Sequence, residues 1–183
     1  MIICITNRTL CQKPFLTQIQ LIAKKQPAAI ILREKDLEQT HYQALAQACF
    51  QICQQEHIPL IVHSYPQVAR NLNISQIHLS FLQFLEVSDS LTNFQTKGVS
   101  IHSVEQAVIA QKLGASYLIA GHIFETDCKK GLPAKGLSFL SEICESVSIP
   151  VFAVGGMTSE KLTMIQKTGA KGICVMSGFM NEL

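Results

Sequence analysis

The chain has 183 residues, 48% hydrophobic and 15% charged, so it can bury a large core and does not have a disordered composition. A formal net charge of +2, with no basic stripe interleaved with aromatics, argues against a nucleic-acid partner, and no apolar run approaches the length of a membrane span. One domain covering 1–183 is the expectation for this length.

The apolar stretch Met1-Ile2-Ile3-Cys4-Ile5-Thr6 is short and lacks a basic leader and a small-residue cleavage site. It reads as a first strand and not as a signal peptide. Further strand-like runs follow at 27–32, 58–62, 75–79, 98–101, 116–120, 149–154 and 172–176. These unbroken Ile/Val/Leu runs suit strands covered on both faces. Helical periodicity fills the spacers. Phe15, Ile19, Leu21 and Ile22 share one stretch, and Tyr42, Leu45, Ala46, Cys49 and Cys53 line one stripe. Ser103 and Thr158 are placed as N-caps, and Leu113-Gly114-Ala115 and Thr168-Gly169-Ala170 as glycine stops. The segment 81–97 is polar and irregular, which predicts a short fourth helix.

Eight strands with interleaved helices predict an α/β fold, a single (β/α)8 TIM barrel, with a doubly wound open sheet as the alternative. Few residues follow Met176, so the last helix is expected to be truncated or missing. The groove beside the first and eighth strands would then be covered by a neighbouring subunit or left exposed. The seven cysteines, at 4, 11, 49, 53, 128, 144 and 174, are odd in number and form no CxxC, which fits reduced thiols in a cytoplasmic setting. Cys49 and Cys53 are one helical turn apart and are read as packing residues, not a metal pair.

Chemistry in such a barrel gathers at the C-terminal ends of the strands. The loop Gly121-His122-Ile123-Phe124-Glu125-Thr126-Asp127-Cys128-Lys129-Lys130-Gly131 follows the sixth strand and carries a histidine suited to proton transfer and lysines suited to an anion. Arg33 and Lys35 alternate along extended chain, so both point one way, toward an anion or toward solvent; Glu34 and Asp36 then face helices or water. Gly155-Gly156 and Ser177-Gly178 follow the seventh and eighth strands, where backbone N–H groups cradle a phosphate or form ordinary turns. Ser100 ends the fifth strand. His102 reads as the opening of the next helix, and His41 and His57 as surface or packing residues. His63 and His78 are open between ligand contact and packing. No metal set stands out: the strand-end positions suited to carboxylates carry His63 and Ser80, which leaves only Glu125 and Asp127.

Leu32-Arg33-Glu34-Lys35-Asp36, Ser100-Ile101-His102-Ser103, Gly121 to Gly131, Ile149 to Gly156 and Val175-Met176-Ser177-Gly178 together resemble the thiamine phosphate synthase/TenI superfamily over almost the whole chain. Within it the chain looks most like the TenI branch, the thiazole tautomerases. Synthases carry Asn-Asp after the third strand, and a Gly and a further Asp after the fourth strand's His-Leu; those carboxylates are the synthase magnesium ligands. Here the positions hold His63-Ser64 and Ser80-Phe81. His122 stands where synthases have Pro. The resemblance therefore implies a metal-independent isomerase without cofactor, in which His122 moves a proton to aromatise a carboxythiazole phosphate. It also implies that Gly156, Ser177 and Gly178 hold the phosphate, that Lys129, Arg33 or Lys35 meets the carboxylate, and that Ser100 contacts substrate. The implied partners are a small thiazole phosphate and a second copy in a homodimer, with no nucleic acid and no membrane. A divergent magnesium-dependent thiamine phosphate synthase, or a non-catalytic regulatory protein, is the alternative.

Overall fold

Eight parallel strands pair in sequence order, and the eighth closes onto the first. A computed structural model, describing residues 1–126, 129 and 131–181, gives them as β1 (Ile2–Ile5), β2 (Ala29–Leu32), β3 (Leu60–His63), β4 (Gln76–Ser80), β5 (Thr96–Ile101), β6 (Tyr117–Gly121), β7 (Val151–Val154) and β8 (Gly172–Val175). The helices between them are α1 (Phe15–Lys24), α2 (Gln39–Gln55), α3 (Pro66–Asn71), α4 (Phe81–Val87), α5 (Val104–Lys112), α6 (Gly136–Ser146) and α7 (Leu162–Gln166), and α8 (Ser177–Asn181) follows β8. Closure of β8 onto β1, with Ile3 opposite Cys174, removes the open-sheet alternative.

Two cores follow from the two-residue period of a strand. Ile3, Ile5, Ala29, Ile31, Ile61, Tyr117, Ile119, Phe152 and Cys174 point into the barrel and pack on each other. Their neighbours in sequence, such as Cys4, Ile30, Leu32, Val62, Leu118 and Ala153, point outward and pack with the helices. On α2 that outer layer takes Tyr42, Ala46, Cys49 and Cys53, all buried, with Leu45 of the predicted stripe half-buried against them.

The helix ends obey local rules. Ser103 accepts from the Gln106 amide and caps α5, as expected. Ser80 and Gln83 form a capping box on α4, which is short and runs into a 3-10 turn over Ser88–Leu91. Thr158 precedes a 3-10 turn, Ser159–Lys161, that leads into α7, but its side chain makes no capping hydrogen bond.

The last helix is short, and the groove beside β1 and β8 is sealed from within the chain. Met180 of α8 is only 1% exposed. Gln18 of α1 donates its side-chain amide to the Phe179 carbonyl at 2.6 Å, and the Cys11 thiol lies 3.7 Å from the Met180 sulfur. Where the sequence predicts a groove either covered by a neighbouring subunit or exposed, α1 and the 3-10 turn at Arg8–Leu10 meet the single turn of α8. No helix among the described residues is long and apolar enough to cross a membrane.

Candidate active site

The inward parity of the strands changes chemistry toward their C-terminal ends. Two residues beyond Ile31 comes Arg33, and two beyond Ile61 comes His63; His78 and Ser100 continue the series on β4 and β5. These four line a cavity of about 490 Å³ at the barrel mouth with Asn7, His102, His122, Thr126, Lys129, Gly155, Gly156 and Ser177. Of the residues singled out in the sequence, Arg33, Ser100, His122, Lys129, Gly156 and Ser177 therefore meet at one cavity. Lys35 and Gly178 do not line it: Lys35 extends to solvent beyond the strand, and Gly178 lies inside the first turn of α8. Asp127, Cys128 and Lys130 lie outside the described residues.

Arg33 is fixed through its backbone. Its amide donates to the Thr6 hydroxyl at 2.9 Å, and that hydroxyl donates to Glu34 at 2.6 Å. Glu34 is only 2% exposed and also accepts from the Arg8 amide, at 2.9 and 3.1 Å. The Arg8 guanidinium clasps Asp36 with two bonds of 2.6 Å, which holds the Asp36 carboxyl below its ordinary range. Asp36 is exposed, as expected, and pairs there with Arg8. For Glu34 the expectation is corrected, since it is buried and turns to the segment after β1, where Thr6 and Arg8 supply the donors that a buried carboxylate requires.

The cavity floor is a pair of uncharged imidazoles. His63 and His78 stack with centroids 5.8 Å apart and are 6% and 2% exposed. Burial first, then His78, Arg33 and Lys35, pushes His63 down to about 2; burial, then Arg33, pushes His78 down to about 3. His63 Nδ1 meets the Ser64 hydroxyl at 2.6 Å, and His78 meets Tyr117 through Nδ1 and Ser100 through Nε2. Above the floor the charge is positive. Partial desolvation, then the like charges of Arg33 and Lys129, lowers Lys35 from the ordinary lysine range.

The wall after β6 depends on a glycine. Gly155 has φ +99°, and a Cβ there would overlap His122 Cβ and stand 2.8 Å from His122 Cα. His122 Nε2 donates to the Leu132 carbonyl at 3.3 Å. His102, read from sequence as a helix opener, donates through Nδ1 to the Gly121 carbonyl at 2.8 Å and lines the cavity. His102, Asn7 and Thr126 went unrecognised as cavity residues. For His63 and His78 the signal was available: each stands at an inward position of its strand.

A family model described as thiamine monophosphate synthase matches residues 2–179. The chain belongs to this family. Among its relatives, thiamine-phosphate synthase 2 of Streptococcus pneumoniae is 32% identical over 169 residues, covering 91% of this chain and 80% of that protein. Thiamine-phosphate synthase of Clostridium acetobutylicum is 31% identical over 177 residues, covering 96% and 84%. The solved thiamine phosphate pyrophosphorylase from Pyrococcus furiosus superposes with a TM-score of 0.83 at 28% identity, covering 99% and 88%.

These relatives overturn the isomerase reading. They are named for a transferase, so the thiazole tautomerase assignment, and with it His122 as the acid/base of that reaction, does not stand. The tautomerase reading rests on His122 and on the missing strand-end carboxylates, a few side chains, against which the likeness to the synthases runs over 91% to 96% of the chain.

Among the described residues the strand ends do not offer a magnesium set, Asp127 lying outside them. Magnesium takes oxygen ligands, commonly carboxylates. His63-Ser64 and Ser80-Phe81 offer no carboxylate, and Glu34 spends its oxygens on Thr6 and Arg8. Among the described residues no group of three or more His, Cys, Asp or Glu converges as a metal site.

Proposed function

We propose that this barrel joins a pyrophosphorylated aminopyrimidine to a phosphorylated thiazole, the synthase reaction for which its relatives are named. In that reaction the thiazole nitrogen forms a bond to the exocyclic methylene of the pyrimidine. The bond from that methylene to oxygen breaks, and its electron pair leaves with pyrophosphate. The nitrogen becomes a positive thiazolium centre. No proton changes place, so no acid or base is needed for the bond exchange.

The chemistry then asks for two things: cations where pyrophosphate departs, and no cation where the methylene becomes positive. The observation that carries the reading is that one cavity holds two cations, Arg33 and Lys129, together with two buried imidazoles that burial keeps uncharged, His63 and His78. Arg33, Lys129 and, from the rim, Lys35 would hold the pyrophosphate, and preorganised positive charge lowers the barrier to its departure. Gly156 and Ser177, which line the cavity, would hold the thiazole phosphate. Ser100 reaches the ligand from β5. His122, whose Nε2–H donates to the Leu132 carbonyl, would wall the cavity and take no part in the bond exchange. No step is routed through a metal.

The test is direct. Purified protein is incubated with the two heterocycles, with magnesium or with a chelator, and thiamine phosphate is measured by fluorescence after oxidation to thiochrome. Product is expected in both arms. Binding of both substrates without product in either arm would overturn the reading.

A further inference from the structure

Three residues aligned across three strands form one polar thread through the barrel interior. His78 on β4 pairs in register with Gly98 on β5, and Gly98 pairs with Tyr117 on β6. A Cβ on residue 98 would overlap both the Tyr117 phenol and His78 Nδ1, so the glycine opens the gap through which the two side chains meet. The phenol oxygen lies 3.1 Å from His78 Nδ1, and His78 Nε2 lies 2.8 Å from the Ser100 hydroxyl, which faces the cavity.

We infer that Tyr117 and His78 are positioning residues that preset Ser100 as a hydrogen-bond donor to an acceptor atom of the bound ligand. A buried phenol places its proton on an acceptor. For Tyr117 the acceptor within reach among the described residues is His78 Nδ1. A neutral imidazole has one N–H and one lone pair, so a lone pair on Nδ1 puts the proton on Nε2. Nε2–H then donates to the Ser100 oxygen. With that lone pair engaged, the hydroxyl proton of Ser100 turns to the cavity. The direction of the whole chain is set at its far end by the phenol. Tyr117 is itself held edge-on by Phe152, with ring centroids 5.8 Å apart at 87°.

The tautomer belongs to the protein alone; only the nature of the acceptor, a phosphate oxygen or a ring nitrogen, rests on the function proposed above. Nitrogen-15 NMR of histidine-labelled protein, with His78 assigned by its proximity to the Tyr117 ring, reads it directly. The expected wild-type spectrum has a bare Nδ1 and a protonated Nε2. A protonated Nδ1 overturns the inference, whatever the assay gives. Tyr117→Phe keeps the ring packing and removes the proton source, so the Nδ1–H form is expected to rise; an unchanged tautomer in that variant overturns the role of Tyr117. In the joining assay Tyr117→Phe and Ser100→Ala are expected to raise KM by similar factors, on the order of 10-fold for one hydrogen bond to a charged group. The expected tautomer with no turnover in wild type would sink the reaction and leave the thread standing. If Tyr117→Phe does not fold, the wild-type spectrum decides.

Discussion

The phenol of Tyr42 donates to the Leu32 carbonyl at 2.6 Å, and the same oxygen accepts the amide of His63 at 2.9 Å. One buried side chain of α2 thus satisfies a carbonyl at the end of β2 and an amide at the end of β3, at the level where the strands leave their ladder and the cavity begins. Tyr42→Phe keeps the ring and strands both backbone groups. A buried group left without its partner costs about 1–3 kcal/mol. Urea unfolding is expected to show a loss of that size with an unchanged slope. His63, whose backbone is tethered by this bond, is expected to loosen, with a fall in catalytic efficiency. Stability equal to wild type would mean that the phenol does not carry the β2–β3 junction.

The histidine floor predicts how stability follows pH. His63 and His78 titrate at about 2 and about 3 in the folded protein, both pushed down mainly by burial. The unfolded chain binds their protons near the ordinary value of about 6.5. Below that value the unfolded state holds more protons than the folded state, so the two groups favour unfolding increasingly as pH falls. Their contribution is fully present above about pH 6.5 and is lost as pH drops toward the folded values. From pH 6.5 to 5 the loss is expected to be about 3 kcal/mol for the pair. Urea unfolding across that interval measures it, and the variant His63→Asn should flatten the slope by roughly half. A flat profile in wild type would mean that the imidazoles are solvated.

How far the sequence carries depends on which force decides each feature. All eight strands were legible because burial on both faces leaves long Ile/Val/Leu runs, as in Ile149-Pro150-Val151-Phe152-Ala153-Val154. Ser103 was legible because capping is local. The six-residue α3 went unread, being too short to display a period. Arg33, Ser100, Lys129 and Ser177 were legible as strand-end polar residues, and His63 and His78 were within reach of the same two-residue parity. The Thr6–Glu34–Arg8 cluster was not legible, because it joins the ends of β1 and β2 through side chains 26 to 28 residues apart. The reaction class was the least legible, since a few exchanged side chains at the rim weigh little against likeness spread over the whole barrel.

The cation group at the mouth predicts the pH dependence of anion binding. Lys35 is lowered from its ordinary range by desolvation and by Arg33 and Lys129. A bound anion favours protonated Lys35 and offsets the like charges of Arg33 and Lys129. Inorganic pyrophosphate, measured by calorimetry with chelator present, is expected to bind most tightly below the lowered Lys35 value and to weaken as pH rises through it. Arg33→Ala is expected to cost roughly 10- to 100-fold in affinity, as befits a hydrogen bond to a charged group. Affinity that is indifferent to both changes would place the anion elsewhere.

Gly155 offers the sharpest test of how the wall after β6 is built. Its φ of +99° lies where side chains are rarely tolerated, and a Cβ would press on His122 Cα and Cβ. Gly155→Ala therefore combines backbone strain of order 1–3 kcal/mol with displacement of the β6 loop. The loop also depends on the strand beyond: the Ile123 amide donates to the Val154 carbonyl at 2.9 Å, and the Phe124 amide to the Gly155 carbonyl at 3.2 Å. Pushing His122 away would lengthen both bonds and carry Lys129, further along the same loop, away from Arg33. Urea unfolding should register the strain, and pyrophosphate affinity should fall even though no charged group was changed. Full stability with full affinity would mean that the loop can pass β7 without the close approach that the glycine permits.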